Sequence, residues 1–68
     1  MYRVVEEAMP GNPAGKGSGK FDGLWRVAVY EKVMGRGNVF MYYAAEDITY
    51  EEARDLAERL QRELNGKA

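Results

Sequence analysis

The stretch ITYEEARDLAERLQRELNG, residues 48–66, decides the fold. It reads as one amphipathic helix with both ends marked. Thr49-Tyr50-Glu51-Glu52 has the form of a capping box. In that motif the threonine hydroxyl accepts from the backbone N–H three residues on, and the glutamate carboxylate accepts from the threonine N–H. Ile48 before the cap and Ala53 after it stand at the two positions of a hydrophobic staple. Ala53, Leu56, Ala57, Leu60 and Leu64 then recur at i, i+3, i+4, i+7 and i+11, one stripe of a 3.6-residue helix. Asn65-Gly66 predicts a left-handed C-cap. Asp55–Arg59 and Glu58–Arg62 are spaced i,i+4 in the favoured order and mark the opposite face as solvated. The apolar stripe of a helix over 49–65 must be buried against something, and only strands precede it.

Moving toward the N-terminus, residues 39–44 are rich in β-formers (Val39, Phe40, Met41, Tyr42, Tyr43) and predict a strand that is apolar on both faces. Gly35-Arg36-Gly37-Asn38 before it is a turn in which glycine supplies positive φ. Residues 24–32 form the clearest strand, with Trp25, Val27 and Val29 on one side and Arg26, Ala28 and Tyr30 on the other. Residues 9–23 carry five glycines and both prolines, which excludes helix and central strand and predicts a long flexible loop. Residues 2–7, around Val4-Val5, predict a first strand. Strands joined by turns pair antiparallel, because a parallel pair needs a long crossover. The expected fold is therefore α+β: a three-stranded antiparallel sheet with one C-terminal helix packed on one face (β-β-β-α). Ala53 and Ala57 are small enough to let the helix close over a large side chain, expected to be Trp25.

The 68 residues make a single small domain with one core. Histidine and cysteine are both absent, so the chain has no disulfide, no ordinary zinc site, no imidazole base and no thiol nucleophile. Packing alone, or self-association, must hold so small a core. Residues 1–11 lack the basic start and apolar run of a signal peptide, and no segment approaches the roughly 20 apolar residues of a membrane span. A cytoplasmic protein with no membrane partner is expected. Net charge is −1, but residues 1–40 hold six basic and four acidic side chains, while residues 41–68 hold four and seven. Such a split can give one face of a small domain a polarity opposite to the other, or leave ordinary solvated surface charges.

Few residues offer catalytic chemistry. Ser18 is the only serine and has no base near it in sequence; Glu6-Glu7, Glu46-Asp47 and Glu51-Glu52 are adjacent pairs whose members point apart. Gly11-Asn12-Pro13-Ala14-Gly15-Lys16-Gly17-Ser18-Gly19-Lys20 suggests a phosphate cradle. The P-loop spacing fails, because Pro10 or Ala14 stands where the first glycine belongs and each lysine is followed by Gly17 or Phe21. The acidic residues at the helix start lack the spacing of a calcium loop and suit a helix N-terminus. The reading is of a non-enzyme with no cofactor and no metal.

The sheet face turned away from the helix is the candidate surface. Arg26, Ala28 and Tyr30 lie on it, joined by either Val39, Met41 and Tyr43 or Phe40 and Tyr42 from the third strand. Mixed aromatic and basic sheets stack on single strands of nucleic acid, and Tyr, Met and Arg are equally the residues of dimer interfaces.

Residues 20–64, with Gly19-Lys20, Trp25-Arg26-Val27-Ala28-Val29, a glycine turn, a third strand and Thr49-Tyr50-Glu51-Glu52-Ala53, resemble two families. These are the arm-type DNA-binding domains of tyrosine recombinases and the plant ethylene-response-factor DNA-binding domain. The resemblance implies a three-stranded sheet on a C-terminal helix, with the sheet entering the major groove and Arg26 facing DNA. The chain departs from that pattern at Ala28 and Tyr30, where charged residues are expected, and in a third strand without Arg or Lys.

Two functions follow. In one, the module binds nucleic acid, with Lys16, Lys20, Arg26, Lys32 and Arg36 on phosphates and Tyr30 stacking or lying in a groove. In the other, the apolar sheet face binds a protein partner, including a second copy of the chain.

Overall fold

The computed structural model describes residues 1–11 and 23–66. Its elements are β1 (Tyr2–Ala8), β2 (Trp25–Val33), β3 (Gly37–Ile48) and α1 (Tyr50–Asn65), in the expected β-β-β-α order. The sheet is an antiparallel meander with β2 in the centre. Most of the glycine-rich loop, including Lys16 and Lys20, lies outside the described residues. At the loop's base the Met9 N–H donates to the Leu24 C=O at 3.0 Å. Among the described residues no helix is long and apolar enough to cross a membrane.

The helix begins as its sequence dictates. Thr49 is extended, its hydroxyl accepts from the Glu52 N–H at 3.1 Å, and the Glu52 carboxylate accepts from the Thr49 N–H at 3.1 Å. Both partners of the staple, Ile48 and Ala53, pack into the core. The C-terminus differs from expectation: Gly66 has φ −105°, so the cap is not left-handed. Glycine is needed there for space, since a Cβ would collide with the Arg62 carbonyl oxygen. The ion pair on the solvated face joins Arg54 to Glu58 at 3.8 Å.

The core is small. Val4 from β1 and Val27 and Val29 from β2 pack on Ala53 and Ala57 of the helix. Val27 and Val29 are the largest side chains fully removed from water, each worth about 1.5–3 kcal/mol of transfer free energy. The expectation that the alanines close over Trp25 is corrected. They lie over the valine cluster, and Trp25, at the start of β2, joins it from the margin with its ring edge-on to Tyr50 at 4.8 Å. The helix packs chiefly on β1 and β2 and touches β3 least.

β1 and β2 pair without interruption from Tyr2↔Glu31 to Ala8↔Trp25. β3 does not match β2 in that way. Its 12 residues run against the 9 of β2, and the three extra residues enter as three register shifts. Tyr30↔Phe40 is followed by Val29↔Tyr42, Ala28↔Tyr43 by Val27↔Ala45, and then Trp25↔Ile48. Each inserted residue is a bulge that bends the strand and increases its twist. Asp47, inside the last shift, takes φ 59°, a left-handed conformation that aspartate tolerates better than most residues. In the β2–β3 turn the Arg36 N–H donates to the Val33 C=O at 2.9 Å, and Gly35, with φ 84°, fills the position where this turn needs positive φ.

Candidate functional site

Strand alternation places Arg26, Ala28 and Tyr30 on the sheet face opposite the helix, as expected. Glu7 lies directly across from Arg26 in the β1–β2 register, and the two form an ion pair with Nε–Oε1 3.2 Å. The Arg26 guanidinium also stacks on the Tyr43 ring at 4.3 Å from its centre. Tyr30 donates its hydroxyl hydrogen to the other Glu7 carboxylate oxygen at 2.5 Å. Arg26 and Tyr30 are four residues apart, about 13 Å along a strand at ~3.3 Å per residue. The phenol therefore has to lie along the sheet to reach Glu7, over the intervening Ala28, which is wholly buried although it faces away from the core. The Glu7 carboxylate, by accepting this hydrogen bond and with some help from burial, raises the Tyr30 phenol above its ordinary value of 10.0.

Sequence alternation left two sets open for β3, and each is half right. Phe40 and Tyr43 share the outer face: their rings lie 4.7 Å apart, and Phe40 also meets Tyr30 edge-on at 5.7 Å. Residues three apart cannot share a face in a regular strand. The bulge between Phe40 and Tyr42 brings them together. The outer face is thus a layer of Glu7, Arg26, Tyr30, Phe40 and Tyr43 roofing Ala28.

β3 remains the exposed part of the sheet. Five consecutive large residues keep much of their surface in water: Val39 37%, Phe40 45%, Met41 44%, Tyr42 47% and Tyr43 39%. Tyr42 stands opposite the fully buried Val29, yet the helix lies over β1 and β2 and leaves it uncovered.

The six residues named from sequence thus fall into three groups. Arg26 and Tyr30 meet at Glu7. Lys32 and Arg36 are exposed at the β2–β3 turn, with Arg3 two register positions from Lys32. Lys16 and Lys20 lie outside the described residues. Glu7 was missed as a partner, because the adjacent acidic pair Glu6-Glu7 says nothing of what stands across the sheet. Its signal was the register itself: once Ala8 is set against Trp25, Glu7 must face Arg26. Among the described residues no group of three His, Cys, Asp or Glu side chains is placed to hold a metal ion.

The two edges of the sheet also differ. At β1, the side-chain amides of Gln61 and Asn65, one turn apart on α1, bond the outward backbone groups. Gln61 accepts from the Val4 N–H at 2.9 Å and donates to the Tyr2 C=O at 2.8 Å. Asn65 accepts from the Tyr2 N–H at 2.7 Å and donates to the same carbonyl at 2.7 Å. The helix thereby takes the place of a neighbouring strand. Sequence reasoning gave Asn65 to the helix cap and passed over Gln61. Two amides at i,i+4, able both to donate and to accept, were the available signal.

Compared with models of protein families, with curated proteins and with solved structures, the chain matches none.

Proposed function

We propose that this chain is a non-enzymatic interaction module whose partner is a protein, bound along β3 and the adjoining outer face. The observation that carries this reading is the run of exposed apolar and aromatic side chains at residues 39–43, on the edge strand that the helix touches least. Contiguous patches of this kind mark interaction surfaces, and Tyr, Phe and Met are enriched in them.

Nucleic-acid binding is the competing reading, supported by the exposed Lys32 and Arg36 at the turn end, with Arg3 close by. It is the weaker one. Arg26, the basic residue central to the sheet, is occupied by Glu7 and Tyr43, and the Glu7 carboxylate would repel a phosphate brought to that face. The test is an amide NMR titration of labelled protein with short duplex and single-stranded DNA at low salt. The protein reading expects the Arg26, Tyr30, Lys32 and Arg36 resonances to stay in place. Salt-reversible shifts clustered on them would overturn it in favour of nucleic acid.

A further inference from the structure

Resting on that reading, we infer that the partner is a second copy of this chain, paired antiparallel along β3 about a two-fold axis between Met41 and Tyr42. Three independent features point to a copy and not to an unrelated protein.

The first is charge along β3. The strand leaves a basic end, where Arg36 and Lys32 are exposed, and runs to an acidic end at Glu46 and Asp47, exposed beside the helix start; no charge lies between Gly37 and Ala45. Two antiparallel copies bring the basic end of each against the acidic end of the other, twice in one interface. A two-fold contact of this kind must be self-complementary, and β3 is. Centring the pair between Met41 and Tyr42 brings Arg36 to the end that carries the partner's Glu46 and Asp47. It also sets Phe40 opposite the partner's Tyr43. Those two residues already share the outer face within one chain, so their aromatic layer continues across the axis.

The second is the size of the core. Among the described residues, the buried apolar side chains are three valines and three alanines, and the chain has no disulfide to assist them. Chains this small commonly gain their remaining stability by association. The longest run of apolar surface left uncovered among the described residues is on β3, where the copy would cover it.

The third is the difference between the edges. An open edge is a template for another strand, and a protein with two open edges polymerises. Here Gln61 and Asn65 occupy the Tyr2 N–H and C=O and the Val4 N–H at the start of β1. With that end of β1 capped, β3 is the more open edge and the one left for a second copy. The bulges in β3 shorten any backbone ladder between copies, so side-chain packing and the end charges supply most of the affinity.

Sedimentation equilibrium of the full chain over protein concentrations from about 10 µM to about 1 mM tests this. A dimer is expected in the wild type. Arg36→Glu and Glu46→Arg alter exposed side chains and should each leave the circular dichroism unchanged while weakening the dimer about tenfold or more, which corresponds to ~1.4 kcal/mol. Mixing the two variants should restore association. At one end of the mixed pair the two introduced side chains meet with their charges exchanged, and the other end keeps its native contact. A wild type that stays monomeric throughout overturns the proposal. So does a dimer that neither substitution weakens, or two weakened variants that mixing does not rescue. The DNA titration reports separately on the protein-binding reading, so a silent titration beside a monomer removes the copy and leaves another protein as the partner.

Discussion

The two edges of this sheet solve the same physical problem in opposite ways. An edge strand presents N–H and C=O groups that must find partners. At Tyr2 and Val4, β1 finds them within the chain, in two amide side chains of α1, and Val4 is buried beneath the same helix. β3 is the strand the helix touches least, and it has no charged residue among residues 39–43 to discourage pairing. One helix 16 residues long cannot cover three strands, and its placement over β1 and β2 leaves the third to a partner. The contrast teaches that the uncovered strand follows from where the helix sits, packed on Val4, Val27 and Val29 and tied to the start of β1 by Gln61 and Asn65.

The largest difference should appear between two residues that face each other across β2 and β3. Val29 is wholly buried under the helix, and its register partner Tyr42 is about half exposed. Val29→Ala deletes buried methyl groups and should cost about 2 kcal/mol of folding stability. Tyr42→Ala, although it removes far more atoms, should cost about 1 kcal/mol or less when measured at protein concentrations low enough to keep the chain monomeric. Urea unfolding of both variants makes the comparison. Equal losses would mean that β3 is as well covered as β2 and that no open surface exists.

A second experiment attacks the closed edge. Gln61→Leu keeps a side chain of similar size but leaves the Val4 N–H without its acceptor and removes one of the two donors on the Tyr2 carbonyl. The expected cost is about 1 kcal/mol, the lower end for an unsatisfied group because the site is only partly buried. Amide exchange at Val4 should quicken. A variant with native stability and unchanged Val4 exchange would show that the amide does not hold the edge.

How much of this was legible beforehand follows from which features are local. The capping box, the staple and the helix stripe lie within a few residues of each other, and strands two and three are separated by a glycine turn, so the β-β-β-α order could be read directly. The small Ala53 and Ala57 predict a large side chain beneath them, Trp25, but the helix closes instead on Val4 of β1 and on Val27 and Val29 in the middle of β2. The face of β3 was illegible for a specific reason. A period of two assumes one residue against one, and each bulge breaks that count, so neither alternating set matched the pair Phe40 and Tyr43. The amides of Gln61 and Asn65 act on a strand about 60 residues away, and that contact exists only once the helix is docked. The side chains of the outer face were named in part, but the carboxylate that joins Arg26 to Tyr30 lies across the sheet on β1.

The smallest expected effect concerns that join, which belongs to the well-knit β1–β2 half. Tyr30 donates to Glu7, and the carboxylate raises the phenol above its ordinary 10.0. The folded chain therefore keeps this proton to higher pH than the unfolded chain does. Between the two values the folded state binds more protons, so stability falls as pH rises. The contribution is complete below the unfolded value, near 10, and is lost once pH passes the raised folded value. Tyr30→Phe has no such proton and should show a shallower loss of stability over the alkaline range, read as the urea midpoint from roughly pH 8 to pH 11. Every other side chain is common to both proteins, so the difference between the two curves isolates Tyr30. Identical curves would mean that the Tyr30–Glu7 bond does not persist in solution. Ala28 would then lose its roof, and the outer face would be open across β2 as well as β3, which would make the contrast between the two halves of the sheet one of side-chain size and no longer one of cover.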